Sequence, residues 1–377
     1  MKYKLLPFCI AVLLLVFAGG CKKNIVPGGN NGGGGDSTGK DTDVYLTGYI
    51  SYSPHISTAT YWKNGIPSSL TGGIGGYANS IAVSGNDIYV SGNEYFSPFG
   101  PGKAVYWKNG VMVALANGSD TATHTNEIAI SGNDVYVVGS SGHEEGAAES
   151  PYYWKNGVAV KLGSQGLSSP FGAICITFSG TDLYIAGGDS IGICYWKNGV
   201  RFPLQTDAEK VSDFPTAIAV SGNDVYVTGY SSYAINQTNN DYDVACYWKN
   251  GVKIPLKDTS TGNPSDNNTI AQTIAITGND VYIGGYTEYD NNVSAVYLAV
   301  YWKNGGLPIS VGKTEYMENE SGLYLTASGN DLYFAYVQQQ STDSFIPSYY
   351  KFETVPIQCS NTLLNQAGIT SIAVVAK

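Results

Sequence analysis

Ala104-Val105-Tyr106-Trp107-Lys108-Asn109-Gly110 is the stretch on which the reading of this chain turns. With small changes it recurs around Trp62, Trp154, Trp196, Trp248 and Trp302, so all six tryptophans are copies of one position. A second phrase, Ser84-Gly85-Asn86-Asp87-Ile88-Tyr89-Val90, recurs in step with it and is marked by Asp43, Asp87, Asp134, Asp182, Asp224, Asp280 and Asp331. The tyrosine two residues after each aspartate is present throughout, from Tyr45 to Tyr333. Self-similarity at such an interval signals a repeat architecture and overrides the prior of two or three domains that 377 residues would suggest.

Each repeat reads as four short strands, A to D. In one copy these are Ser80 to Val83, Asp87 to Gly92, Ala104 to Lys108, and Val111 to Leu115. Gly85-Asn86 places glycine first, as a type II′ hairpin between A and B prefers. Asn109-Gly110 is the strongest short hairpin signal and joins C to D through a type I′ turn. The other two connections are longer and variable. B–C shrinks in one copy to Asp189-Ser190-Ile191-Gly192, too short to cross a sheet from edge to edge while turning at both ends. D–A must therefore join consecutive sheets, which puts A innermost and D outermost. The repeats begin at a strand B, Asp43 to Gly48, and the sequence ends with a strand A, Ile369 to Ala376. These orphans complete each other. The expected fold is an all-β, seven-bladed β-propeller of four antiparallel strands per blade, closed by the C-terminal strand joining the N-terminal blade. A β-solenoid is the competing architecture, but it needs no such complementary ends.

The two phrases resemble the tandem repeats of β-propeller lipoproteins of bacterial envelopes. The resemblance covers residues 43–377 and speaks to architecture far more than to activity. Kelch and WD-type repeats share the geometry, but their Gly-Gly and Trp-Asp marks are not regular here.

The N-terminus supplies an address. Lys2 and Lys4 precede an apolar run, Leu5 to Phe17, too short to span a bilayer comfortably. Ala18-Gly19-Gly20-Cys21 resembles a lipobox with Ala18 in place of the usual leucine. Residues 1–20 are then a lipoprotein signal peptide and 21–42 a lipidated Cys21 with a Gly-rich tether, ahead of the propeller at 43–377. The resemblance implies membrane attachment through Cys21, and Lys22 points to the outer membrane of a Gram-negative cell, on its periplasmic or outer side. A flexible tether of this length has an r.m.s. reach of roughly 25 Å. The formal net charge of −10 argues against nucleic-acid binding. A monomer is expected.

Residues common to every blade read as structure. Trp107 and its copies should pack between blades. Lys63 and its equivalents either pair with the turn aspartates or stay solvated. Cys194 and Cys246 occupy one repeat position, where Val105 and Val300 stand elsewhere, and read as small buried residues, with a disulfide or metal site as the alternatives.

Function should sit where the repeats disagree, on the face carrying the B–C and D–A connections. Candidate residues in those loops are His55, Tyr95, Phe96, Phe99, His124, His143, Glu144, Glu145, Tyr233, Tyr242, Tyr289 and Asp290. The three histidines would bind zinc only if their loops converged. Asp241-Tyr242-Asp243 and Asp290-Asn291-Asn292 offer oxygen ligands to Ca²⁺ without EF-hand spacing. No cofactor is expected otherwise. No nucleophile elbow, P-loop, Rossmann glycine pattern or His-Glu-x-x-His occurs. The expected role is an envelope-anchored binding or scaffold protein for a glycan or protein ligand. The alternative is an extracellular hydrolase or lyase acting on carbohydrate at the channel mouth.

Overall fold

The computed structural model describes residues 42–376, apart from 54–55, 73, 97–101, 116–121, 143–149, 164–171, 209, 235–240, 259–267, 291–294, 315–321, 342–343, 353–356 and 360–365. The described residues form twenty-eight strands in seven antiparallel four-stranded blades. In blade 2, A is Gly75–Ser84, B Asp87–Tyr95, C Lys103–Lys108 and D Val111–Ala114. In blade 1, the C-terminal strand Gln366–Ala376 is strand A and pairs along Thr42–Ser53, which is strand B. This closure excludes the solenoid. The A strands of successive blades touch one another all the way round, so A lines the centre. Strand D of blade 6, Pro308–Thr314, also meets strand B of blade 7 at one pair, Thr314 and Gln338.

Both hairpin types are as the sequence specifies. Gly85, Gly132, Gly180, Gly222, Gly278 and Gly329 open the A–B turns at φ from 58° to 61°. In the C–D turns both residues are left-handed, as type I′ requires: Asn109 at 51° and Gly110 at 81° are representative. The asparagine also ties C–D back to strand B. Asn109 Nδ2 donates to Asp87 Oδ1 at 2.7 Å, and its Oδ1 accepts from the Ile88 N–H at 2.8 Å. Lys108 Nζ closes the clamp on Asp87 Oδ2 at 2.8 Å and lies 5.1 Å from the Tyr89 ring centre. The lysine–aspartate pair recurs in every blade, including Lys351–Asp331 of blade 7, which lacks the Asn-Gly turn. The lysines are therefore paired, while remaining partly exposed.

Strand C alternates between two neighbours. Trp107 faces back onto blade 1, packing with Tyr45, Leu70 and Val375. Trp62, Trp154 and Trp196 make the same contact with the blade before their own. All six indoles are buried. Trp248 and Trp302 each donate Nε1–H to the connection arriving from the preceding blade, at Gln205 O (2.7 Å) and Lys257 O (2.8 Å).

Strands A and B run further than the hydrophobic alternation indicates, through and beyond Gly92 to Tyr95. A β-bulge explains this. Asn79 is an extra residue between Ala78, paired with Gly92, and Ser80, paired with Ser91. Bulges recur at Asn126, Ile174, Thr216, Gln272 and Thr370. Each shifts the side-chain parity by one, so the pattern before it reads out of phase. The strand B glycine is the partner of this irregularity. A Cβ on Gly92 would lie 2.1 Å from Tyr77 O, and one on Gly139 1.9 Å from His124 O. Blade 7 has no bulge in its described strand A, and Tyr336 stands where the glycine would be.

Gly92→Ala should destabilise the protein by about 1–3 kcal/mol through this collision. Trp107→Ala should cost about 3–5 kcal/mol. Urea unfolding midpoints test both, and a midpoint unchanged by either substitution would reject the corresponding placement.

The clamps predict an acid limb. The hydrogen bond from Lys108, then that from Asn109, holds the Asp87 carboxyl below its ordinary value of 3.8, and Asp134, Asp182, Asp224 and Asp280 are lowered in the same way. A depressed carboxyl contributes stability above its unfolded value and loses it as pH falls through the folded one. Replacing Lys108, Lys155 and Lys249 together with Met should therefore flatten the loss of unfolding midpoint below about pH 4 relative to wild type. Parallel curves would show that the pairs contribute nothing.

Candidate functional site

Antiparallel pairing puts both tight hairpins on one face of the disc and the B–C and D–A connections on the other. On that second face, strand ends project beyond the bulges, where polar and aromatic residues replace the aliphatic alternation. Tyr95 ends strand B of blade 2, and His124, exposed, lies in strand A of blade 3, Ala122–Ser131. Tyr233 and Tyr242 are a directly opposed pair in strands B and C of blade 5, Asp224–Ala234 and Asp241–Lys249. Tyr289 and Asp290 belong to strand B of blade 6, Asp280–Asp290. These five described positions and Asp290 are strand ends rather than loop residues. They stayed paired because backbone hydrogen bonding continues where apolar burial stops. His55, Phe99, His143, Glu144 and Glu145 lie outside the described residues, as do Cys21 and the segments preceding the propeller.

In blade 5 Tyr233 stacks on Tyr242 at 5.4 Å, and in blade 2 a further aromatic group gathers on this face. Tyr77 reaches from strand A of blade 2 toward blade 1, where its ring meets Tyr49 edge-on at 5.0 Å and its hydroxyl accepts from Ser57 Oγ at 3.3 Å. Tyr95 packs edge-on against Tyr77 at 6.1 Å. Phe96 follows and is 50% exposed, with the Lys103 ammonium 5.2 Å from its ring centre. Ile74 and Tyr77, at 45% and 37% exposed, extend the surface. Tyr49, Tyr77 and Ile74 were not among the sequence candidates. Tyr77 precedes the bulge, where the parity rule points it the wrong way.

Beneath this surface the polar groups hold one another. Glu94 is buried, and its Oε1 accepts from the Gly72 N–H at 2.8 Å. Asn93, Asn79 and Thr125 join blades 2 and 3, with Thr125 Oγ1 donating to Gly92 O at 2.9 Å. Asp243 of the acidic stretch in blade 5 is also buried, accepting from Ser232 Oγ. Among the described residues no three His, Cys, Asp or Glu side chains gather to hold a metal ion.

Two cavities stand out. One of about 440 Å³ lies toward the hairpin face between blades 3 and 4, lined by Tyr136, Tyr153, Lys155 and Asn198 among others. Those four occupy repeat positions, so this space is a gap between neighbouring copies. The other, about 170 Å³, opens on the connection side of blade 5 and is lined by Gln205, Asp207, Tyr233 and Lys253 among others.

Cys175, Cys194, Cys246 and Cys359 are buried and in the thiol form, which removes the disulfide alternative. Burial pushes the Cys246 and Cys359 thiols up to about 12. At pH 8 a thiol-specific reagent should label none of the four in the native protein and all four in denaturant. Rapid native labelling would contradict their burial.

No protein-family model and no curated protein sequence matches the chain. Solved structures resemble it distantly. An acylaminoacyl peptidase from Pyrococcus horikoshii is 13% identical with a TM-score of 0.45, over 86% of this chain and 52% of that one. AofleA from Arthrobotrys oligospora is 10% identical with a TM-score of 0.39, over 90% of this chain and 93% of that one. A second acylaminoacyl peptidase structure, bound to a chloromethyl ketone, gives 13% and 0.47 over 86% of this chain and 51% of that one. The chain thus spans about half the length of the two peptidase structures. At such identities and TM-scores these likenesses carry no argument about what this chain binds or does.

Proposed function

We propose that this chain is a binding protein of the bacterial envelope, tethered through lipid on Cys21, that recognises a glycan or protein with the connection face of its propeller. The observation that carries this reading is the exposed aromatic surface of Tyr77 and Phe96, backed by Tyr49 and Tyr95. Aromatic faces offer sugar rings and apolar side chains a large contact area at low entropic cost. The surface is also well oriented. Asp43 is clamped to the C–D hairpin by Lys63 and Asn64, so the chain enters blade 1 on the hairpin face. A tether at that face leaves the connection face turned away from its anchor.

Glycan-array and pull-down screening of the full chain should return a saturable ligand. The pair Tyr77→Ala and Phe96→Ala should weaken it tenfold or more while the variant still melts cooperatively well above the assay temperature. Undiminished binding by that variant would move the site elsewhere, and turnover of array glycans would replace binding with hydrolysis. Cys21→Ser should release the protein from the membrane fraction, and retention there would reject the lipid anchor.

A further inference from the structure

The cavity that opens on the connection face belongs to blade 5, and its walls depart from the repeat at strand D. The residue opposite the buried tryptophan on strand D is Pro67, Met112, Ala159 and Pro308 in four blades, but Arg201 in blade 4 and Lys253 in blade 5. In blade 4 the cation is paired with a buried carboxylate. Arg201 Nε and Nη2 hold Asp189 at 2.8 and 3.1 Å, and Nη2 also reaches Gly192 O at 2.9 Å. In blade 5 a cavity of about 170 Å³ stays open around the corresponding lysine, lined by Gln205, Asp207, Ser231, Tyr233 and Cys246 among others.

One cation, Lys253, and one anion, Asp207, stand on these walls. The Lys253 side chain is only 6% exposed and donates to Asp207 Oδ2 and, at 3.0 Å, to Asp213 Oδ1. Burial alone would lower its pKa, but the two carboxylates outweigh that and hold the ammonium charged. The Tyr233 hydroxyl donates to Asp207 Oδ2 at 2.9 Å, fixing that carboxylate at the mouth, where its side chain is 41% exposed. Asp213 is buried and further satisfied by Ser231 Oγ, at 2.6 Å, and by Lys210. Among the described lining residues Lys253 and Asp207 carry the charge and cancel, while Asp213 lies behind the wall paired with Lys210, so the cavity has no net charge with which to select an ion.

We infer that this cavity is a subsite for one neutral sugar ring, bound through a vicinal diol. Adjacent hydroxyls suit a juxtaposed ammonium and carboxylate, because one accepts from the cation while the other donates to the anion. Lys253 has one ammonium proton beyond the two given to Asp207 and Asp213. Asp207 Oδ1 accepts no hydrogen bond among the described residues. The volume is below the roughly 300–1,000 Å³ of drug-sized sites and matches a single ring rather than an oligosaccharide. This assignment rests on the binding reading above, but it uses different residues on a different blade.

The test is calorimetric titration of the full chain with methyl glycosides of neutral hexoses, their monodeoxy analogues and hexuronic acids. Saturable binding of at least one neutral glycoside is expected, weakened tenfold or more in its monodeoxy analogue. Asp207→Asn and Tyr233→Phe, both at the partly open mouth, should each weaken it at least fivefold with the melting temperature retained. Tyr77→Ala with Phe96→Ala should leave it unchanged. Lys253→Met is a poorer probe, because it leaves Asp213 buried with less compensation and endangers folding. Binding insensitive to Asp207→Asn and Tyr233→Phe, binding of hexuronosides alone, or no binding by any panel member would each overturn the subsite. Loss of array binding in the Tyr77 and Phe96 variant, with no glycoside bound, would sink the subsite and leave the broader reading standing.

Discussion

The ring depends on what happens to a backbone carbonyl displaced from its ladder. Each bulge in strand A leaves the carbonyl just before it without a regular sheet partner, and an unmet buried carbonyl is costly. The neighbouring blade supplies the donor. Thr370 Oγ1 of blade 1 reaches Ala78 O at 2.7 Å, Asn79 of blade 2 reaches Thr125 O, and Asn126 of blade 3 reaches Ala173 O at 2.8 Å. Thr216 of blade 5 reaches Ala271 O at 2.8 Å, and in blade 6 Thr273, beside the bulge, reaches Leu323 O at 3.1 Å. Every donor but the last is itself the inserted residue. In the first four of these contacts one irregularity thus creates both the acceptor and the donor, passing a hydrogen bond from blade 1 on to blade 4 and from blade 5 to blade 6. Ile174 of blade 4 cannot donate, so at that position the contact with blade 5 is left to apolar packing.

The bulge also fixes the composition of strand B. A carbonyl pressed against its partner strand admits only glycine there, which is why Tyr-x-x-Gly recurs at Gly48, Gly92, Gly139, Gly187, Gly229 and Gly285. In blade 7 the described strand A, Tyr324–Ser328, has no bulge, and Tyr336 replaces the glycine. The two therefore form one device, distinct from the packing of the tryptophans. Indoles fill the space between blades toward the rim, and the bulge residues join the blades near the axis.

This division explains what was legible in the residues. Strand count, hairpin types, blade order and ring closure follow from local chemistry: Asn-Gly demands two left-handed residues, Trp demands burial, and a lone B strand demands an A strand. The bulge was not legible from alternation, because one inserted residue turns Tyr77 and its neighbours out of phase and reads as the end of a strand. The recurring strand B glycine was the available signal, and it reads naturally as a terminator until the opposing carbonyl is seen. Tyr95, Tyr233 and Tyr242 were placed on the correct face, but their pairing in strands was hidden by the loss of apolar alternation. Lys253 could not be found from spacing at all. Its partners Asp207 and Asp213 precede it by a whole blade's length of chain, and the D–A connection brings them back against its sheet.

A repeat scaffold separates conserved geometry from freedom to vary, and here the separation has a direction. The hairpin face repeats one clamp of Asp, Tyr, Lys and Asn, and such repetition offers a ligand many equivalent weak contacts instead of one site. Beyond the bulges, strand ends are no longer compressed between neighbours, so substitutions there cost little packing. Tyr77 and Phe96 in blade 2 occupy that half, and in blade 5 the Lys253 ammonium reaches into it to meet Asp213. Their exposed or solvent-linked groups are supported by buried ones, Tyr95 by the sheet edge and Lys253 by Asp213. A side chain held from below while its ligand-facing surface stays open is preorganised, and less entropy is lost when it binds. The uniform face thus serves specificity indirectly, by holding the strands whose far ends are free to differ.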